Sequence, residues 1–261
     1  RAPKTRMAGQ RLPTPAECDA LFSLHPNLSH QPTTQMMNAS EFDTQFRARL
    51  NALATSNLSD ALDSLGITRC AVAGITPRWG RTKVVGRAVT IKMTAAGAVP
   101  ARAHLGIDAI AHSQPGDVIV IDNRGDLHNN CWGEILALGA KLQGVSGVVV
   151  DGAARDVDAC EAFGFPVHAR GTVPITARGR IVQEDWNVPV RIGDAPVRPG
   201  DVIVADVNGV IVIPIERLPE VVTAAEAIMA KENAMLEAMR AGESILEVDR
   251  RFNYENMLQK K

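Results

Sequence analysis

Residues 133–156 read GEILALGAKLQGVSGVVVDGAARD, a helix pattern followed by a strand pattern. The apolar spacing after Glu134 predicts a helix, and the β-branched run 148–150 predicts a buried strand. Such a unit favours an α/β fold in which helices cover the sheet. The strand also runs back alongside the helix, so that Glu134 at the start of the helix approaches Arg155 and Asp156 at the end of the strand.

The start of this helix is a candidate binding site for a carboxylate. Free N–H groups point outward from a helix N-terminus, where the helix dipole is positive. Gly133 lets a ligand approach the backbone closely. We therefore predict that Gly133 and the amides of Glu134, Ile135 and Leu136 bind substrate.

The charged groups on either side suit metal-assisted acid–base chemistry. The planar guanidinium of Arg155 can grip a carboxylate through two hydrogen bonds. Asp156 is a hard oxygen ligand suited to Mg²⁺ or Mn²⁺. Glu134 can orient a water beside that metal and pass protons through it. These three residues are the predicted catalytic residues.

Each candidate also has a purely structural interpretation. An Arg-Asp pair after a strand is commonly a surface ion pair, a first-turn glutamate favours the helix dipole, and Asp151-Gly152 is typical of a turn. Cys131 could be read as a nucleophile, but a small buried thiol is the commoner outcome. The spacing of the histidines lacks HxH or HExxH, so we predict polar surface roles for four of them: His104, His112, His128 and His168.

The composition is that of a globular protein and excludes several classes. Of 261 residues, 46% are hydrophobic and 22% charged, and the six Phe, three Trp and one Tyr leave an aliphatic core. With a net charge of −1, the chain has no excess of positive charge to attract the phosphates of a nucleic acid. Four scattered cysteines offer no zinc site, and no apolar run is long enough for a membrane. We expect a cytoplasmic protein, although the basic residues within 1–16 also fit an organellar import signal.

Three segments are expected: an N-terminal extension (1–39), an α/β domain (40–214) and a C-terminal helical segment (215–261). The helices are predicted near 16–23, from Ser40 with a capping box to Asp43, and at 58–65, 135–143 and 218–241. The strands are predicted at 84–93, 118–122, 148–151, 202–206 and 210–213. The hexapeptide Pro-Gly-Asp-Val-Ile-Val occurs at 115–120 and 199–204, which indicates two similar turn–strand units. The broad apolar stripe of 218–241 must pack on the core or on another subunit.

The joint pattern of Gly133-Glu134, the intervening helix and strand, and 150–156 (VDGAARD) resembles the signature of the 4-hydroxy-4-methyl-2-oxoglutarate aldolase family, which includes the regulators of ribonuclease activity A. The likeness runs from Leu58-Ser59-Asp60-Ala61-Leu62 through both hexapeptides to 208–214 (NGVIVIP). No GxGxxG-like loop occurs, which argues against a nucleotide methyl donor.

The resemblance implies a swivelling β/β/α domain that forms trimers or hexamers with active sites between subunits. It implies a lyase, dependent on Mg²⁺ or Mn²⁺, that cleaves a 2-oxo acid to pyruvate and can decarboxylate oxaloacetate. By position, Arg155 would hold the pyruvyl carboxylate and Asp156 the metal. The aldolase pattern has Asp where this chain has Glu134, which leaves the proton relay and the particular substrate open.

Two alternatives share the scaffold. One is a non-catalytic protein-binding regulator that resembles the ribonuclease regulators, and the other is an enzyme for a different substrate, such as a sugar acid. The expected partners are a small 2-oxo acid and further copies of the chain, without nucleic acid or membrane.

Overall fold

The computed structural model describes residues 39–100 and 104–253. All the described residues belong to one compact unit. The predicted helix near 16–23 and the basic segment 1–16 lie outside the described residues.

The N-terminal helices begin slightly earlier than predicted. Helix α1 (Ala39–Phe42) continues through a π-helical turn (Asp43–Arg47) into α2 (Ala48–Ala52), and α3 (Thr55–Ser64) follows. The predicted capping box at Ser40 is wrong, because Ser40 already lies within a helix. Asp43 instead forms an ion pair of 2.7 Å with Arg47, one helical turn further on.

A mixed sheet forms the centre of the molecule, and its interior strands are rich in Val and Ile, which suits strands buried on both faces. Its strands are β1 (Ala71–Val72), β2 (Thr76–Pro77), β3 (Val84–Ala95), β4 (Val118–Asn130), β5 (Gly147–Ala154), β6 (Val167–Thr172), β7 (Ile181–Trp186), β10 (Val202–Asp206) and β11 (Gly209–Ile213). They run in the order β1-β11-β10-β3-β4-β5-β6-β2, with β7 paired to β3. The pairs β3–β4, β4–β5 and β5–β6 are parallel, and the other pairs are antiparallel. A separate hairpin contains β8 (Val190–Ile192) and β9 (Ala195–Val197).

Alternate side chains of the parallel strands enter two different cores, as a period of two requires. On one face, Ile119 and Ile121 pack with Trp132 and Phe165 under the helices α4 (Ile107–His112), α5 (Glu134–Leu142) and α6 (Val157–Ala162). On the other face, Val118 and its alternate neighbours pack against the β8–β9 hairpin and the antiparallel strands. This layering confirms the predicted α/β architecture with a β/β/α arrangement.

A long C-terminal helix, α7 (Leu218–Arg240), confirms the prediction at 218–241 to within one residue. Its first half packs with α1, α2 and α3 on the antiparallel strands, and Val222 is fully buried. Its second half is more exposed, with Leu236 at 43%. A final helix, α8 (Ile245–Phe252), starts with a capping box between Ser244 and Glu247 that the sequence reading missed.

Two polar residues lie deeper than predicted. His168, on β6, is fully buried, so the predicted surface role is wrong; burial lowers the pKa of its imidazole to about 4 and keeps the ring neutral at pH 7. Asp151 lies within β5 and is 4% exposed, so the plain turn predicted there is also wrong. Its carboxylate pairs with Arg170 and accepts a hydrogen bond of 2.7 Å from the Gly193 amide. The other three histidines are exposed, as predicted: His104, His112 and His128.

Candidate functional site

The start of α5 and the end of β5 lie side by side, as the order of helix and strand predicts. The Arg155 amide donates to the Trp132 carbonyl at 2.9 Å, and the Cys131 amide donates to the Ala153 carbonyl at 3.0 Å. These two bonds fix the segment that precedes α5 against the segment that follows β5. The geometry of the site is therefore set by backbone contacts.

Gly133 is the point of closest approach between the two segments. Its backbone is extended (φ −153°), so the need for glycine here comes from space. A Cβ atom at this position would lie 2.8 Å from Asp156 Oδ2 and 3.3 Å from Arg155 Nε. Any side chain at residue 133 would therefore displace both charged groups.

The first turn of α5 presents the predicted amides at this point. The helical hydrogen bonds begin with the Ala137 amide, which donates to the Gly133 carbonyl at 3.0 Å. The amides of Ile135 and Leu136 thus have no partner within the helix. The Glu134 amide lies 3.4 Å from Asp156 Oδ2. The side chain of Glu134 is exposed, and it lines one cavity together with Asp156.

Asp156 occupies the left-handed backbone region (φ +53°), which Asp tolerates better than most residues. Arg155 Nε lies 3.2 Å from Asp156 Oδ2, within ion-pair distance, but the angle does not make a hydrogen bond, and this nitrogen has no other partner among the described residues. The side chains are 34% and 40% exposed, so the pair adds little to stability.

A cavity of about 410 Å³ joins these groups. All the predicted site residues line it: Gly133, Glu134, Ile135, Leu136, Arg155 and Asp156. Its remaining walls come from the segment before α4, from the segment before α5 and from the loop and strand at 176–183. A cavity of this size accommodates a small organic acid.

The sequence reading missed several wall residues. Arg178 is exposed at the cavity, and its guanidinium has no hydrogen-bond or ion-pair partner among the residues that the structure describes. Gln183 accepts a hydrogen bond of 2.8 Å from the Gly106 amide and so ties two walls together. Trp132 is fully buried, and its indole nitrogen has no partner in the described ranges. The only sequence signal for Arg178 was its position in the Gly- and Arg-rich run 177–180.

The cysteines near the site do not behave as nucleophiles. Cys131 is fully buried, and burial raises the pKa of its thiol strongly. Burial likewise raises the pKa of the Cys160 thiol, to about 11. Because the thiolate is the reactive form, the nucleophile reading of Cys131 is wrong.

The ligand atoms at the cavity fit a hard metal ion that is bound partly by the protein and partly by the substrate. Within residues 39–100 and 104–253, no group of three or more His, Cys, Asp or Glu side chains could hold a metal. Asp156 is partly exposed at the cavity, and its carboxylate is a hard oxygen ligand. Mg²⁺ is commonly bound by one or two carboxylates, with water and substrate oxygens completing its shell. The residues present are compatible with this mode.

A family model described as RraA-like, Aldolase/RraA, matches residues 55–212. A protein of Halalkalibacterium halodurans named "Putative 4-hydroxy-4-methyl-2-oxoglutarate aldolase" is 40% identical over 174 residues, which cover 67% of this chain and 77% of that protein. The chain belongs to the RraA-like family. The resemblance that the sequence motifs indicated is confirmed.

Solved structures show the same fold. An uncharacterized protein from Pseudomonas syringae pv. tomato aligns with a TM-score of 0.69 and 31% identity, over 77% of this chain and 94% of that one. Streptomyces coelicolor RraAS2, described as an unusual member of the RNase ES inhibitor RraA protein family, aligns with a TM-score of 0.65 and 28% identity, over 78% and 96%. The proteins similar to this chain therefore include one named as an aldolase and one described as a member of a ribonuclease-inhibitor family.

No helix among the described residues is both long and apolar enough to cross a bilayer.

Proposed function

We propose that this protein is a divalent-metal-dependent lyase that cleaves a carbon–carbon bond of a 2-oxo acid and releases pyruvate. One observation carries the proposal: a guanidinium, a carboxylate and the first-turn amides of a helix meet in one cavity of suitable size. The aldolase name of the Halalkalibacterium relative supports the same reaction class.

Arg155 and the first turn of α5 would bind the pyruvyl half of the substrate. The guanidinium forms charge-assisted hydrogen bonds to the carboxylate, and the amides of Ile135 and Leu136 add donors at the positive end of the helix. Arg178 offers a second, unpaired cation at the same cavity, which suits a substrate with two carboxylates. A 2-oxo diacid is therefore the favoured substrate class.

Asp156 would hold Mg²⁺ or Mn²⁺, which would supply Lewis-acid stabilisation of the negative charge that develops on the keto oxygen. Glu134 would take the proton of the substrate hydroxyl as the carbon–carbon bond breaks. The electron pair of that bond then becomes the enolate of pyruvate. Glu134 would return a proton to the enolate carbon, which completes the reaction.

A pyruvate-release assay tests the proposal. Purified protein should release pyruvate from at least one acid in a panel of 4-hydroxy-2-oxo acids and oxaloacetate, with Mg²⁺ or Mn²⁺ present. Chelation should remove the activity, and added metal should restore it. If no acid in the panel yields pyruvate in repeated preparations, the proposal is wrong, and a protein-binding role of the kind named for the family of the Streptomyces relative becomes the better one.

Replacing Arg155 with Lys should raise the Michaelis constant for the cleaved acid by about tenfold to a hundredfold. Lys keeps the charge but loses the planar fork, and a hydrogen bond to a charged group contributes about 1.5–3 kcal/mol. Steady-state kinetics on Arg155→Lys measures the change, with Arg180→Lys, at an exposed arginine that does not line the cavity, as the matched control. An unchanged Michaelis constant in Arg155→Lys would place this residue outside the substrate site.

We also propose that the protein is a homo-oligomer, a trimer or a pair of trimers. Helix α5 carries an exposed apolar face that starts at the cavity: Ile135 is 79% exposed, Leu138 43% and Leu142 81%. A face of this kind at one helix normally marks a contact surface. Light scattering at micromolar concentration should give an oligomer, and Leu138→Glu/Leu142→Glu should reduce the mass. Leu246→Glu, on α8, is the control, and a wild-type monomer that retains activity would contradict the prediction.

A further inference from the structure

A second cavity, of about 540 Å³, opens where β4 bulges away from β5 between Asp122 and Asp126. Three arginines, two aspartates and two glycines line it: Arg124, Arg170, Arg191, Asp122, Asp151, Gly125 and Gly193. None of them lines the cavity of the candidate active site. Bulges commonly occur where a strand must redirect side chains towards a site.

Asp122 fixes the backbone that carries two of the arginines. Its Oδ1 accepts a hydrogen bond of 3.1 Å from the Arg124 amide, and its Oδ2 accepts one of 3.2 Å from the Arg191 amide. One carboxylate therefore joins the bulge of β4 to strand β8. Both of its oxygens accept bonds from the backbone, and the guanidiniums of Arg124 and Arg191 lie near other acids.

Asp151 fixes the third arginine through its side chain. One of its oxygens pairs with Arg170 Nε, and the other accepts from the Gly193 amide. Arg170 Nη1 also donates to the Ala73 carbonyl at 3.3 Å. A Cβ at residue 193 would lie 3.2 Å from Arg170 Nη2, so glycine there leaves room for the guanidinium. Arg170 thus has a fixed position in the cavity wall.

The other two guanidiniums keep donors that no described residue uses. Arg124 Nη2 donates a hydrogen bond of 3.4 Å to Thr94 Oγ1 and lies 3.8 Å from Glu184. Arg191 Nη2 lies 3.5 Å from Asp194, which is 92% exposed. Neither ion pair forms a hydrogen bond, the bond to Thr94 is long, and exposed ion pairs of this kind are weak in water. A ligand oxyanion could therefore replace these contacts at low cost.

We propose that this cavity binds a small molecule with two or more carboxylate or phosphate groups. Arg170 supplies one guanidinium in a fixed position, and Arg124 and Arg191 supply two whose unused N–H donors can form paired hydrogen bonds with such oxyanions. The lining arginines outnumber the lining aspartates, and every oxygen of those aspartates already accepts a hydrogen bond. The site is separate from the proposed active site, so the proposal does not depend on the lyase reaction.

Isothermal titration at low ionic strength, with citrate and with inorganic pyrophosphate as separate probes, tests the site. The wild-type protein should bind at least one probe saturably, and which probe binds identifies carboxylate or phosphate as the ligand group. Arg124→Gln/Arg191→Gln should weaken binding by about tenfold to a hundredfold, as expected for lost charge-assisted bonds. The control, Arg81→Gln/Arg250→Gln, makes the same change in net charge at exposed arginines outside the cavity and should bind normally.

Three results would overturn the proposal. The first is no saturable binding of either probe by the wild-type protein at millimolar concentration. The second is an equal loss in the control variant, which would indicate only a general effect of charge. The third is loss of binding in Arg155→Lys with retention in Arg124→Gln/Arg191→Gln, which would place the anion in the proposed active site. Circular dichroism of each variant confirms that it is folded.

Discussion

Asp156→Ala protein should lose at least about a thousandfold in turnover, because a Lewis-acid metal contributes several kcal/mol to a transition state of this kind. Asp156 is the one carboxylate proposed to hold the metal. Its side chain is 40% exposed and adds little packing, so the fold should survive the substitution. Steady-state turnover and metal binding, measured by titration calorimetry with Mn²⁺, should fall together.

Two further variants separate loss of the metal from loss of the fold. Asp156→Asn removes the charge but keeps a residue that tolerates the left-handed backbone, so its activity should also be lost. Asp158→Ala removes an exposed aspartate two residues further on that does not line the cavity, and it should turn over normally. Wild-type turnover in Asp156→Ala, or full activity after exhaustive chelation, would rule out the metal assignment.

Glu134→Gln should lower turnover by about 10²–10⁴-fold, the usual contribution of a positioned acid–base group. Gln keeps the length of the side chain and removes the base. Glu134→Asp keeps the base on a shorter side chain, so it should retain metal binding and change the rate by less. The rate of exchange between solvent deuterium and the methyl protons of pyruvate, followed by NMR, reports proton transfer without bond cleavage.

The structural interpretation of Glu134 predicts a different result. If the glutamate only favours the helix start, Glu134→Gln should lose no more than about 1 kcal/mol of stability and keep its turnover. Glu161→Gln, an exposed glutamate on α6, provides the baseline for a surface substitution. Turnover of Glu134→Gln at the wild-type rate would leave the proposed mechanism without a proton carrier.

The parts of the fold that depend on residues close together in the sequence were predictable from the sequence. Helix α5 and strand β5 were predicted to within a few residues, because their apolar spacing and the glycine that follows the helix, Gly144, are local signals. The approach of Gly133 to Asp156 followed from the same unit. The capping box at Ser40 was predicted wrongly because Asp43 pairs with Arg47 inside a longer helical segment.

The features that were missed depend on residues far apart in the chain. Asp151 looked like a turn residue because its partners, Arg170 and Gly193, come from β6 and from the β8–β9 hairpin. His168 lacked any spacing signal, and only the assembled sheet shows that it is fully buried. Arg178 reaches the cavity from a loop beyond β6, so no motif around Glu134 could have included it.

The absence of a side chain at residue 133 has a consequence for protein engineering. Since Asp156 Oδ2 would lie 2.8 Å from any Cβ there, residue 133 cannot be varied without moving the proposed metal ligand. Substitution at residue 133 therefore shifts the Asp156 carboxylate, whereas the loop and strand at 176–183 form a wall with partly exposed side chains and with a guanidinium that has no partner among the described residues. Libraries intended to change the accepted acid should randomise that wall and keep residues 131–134 and 155–156 constant.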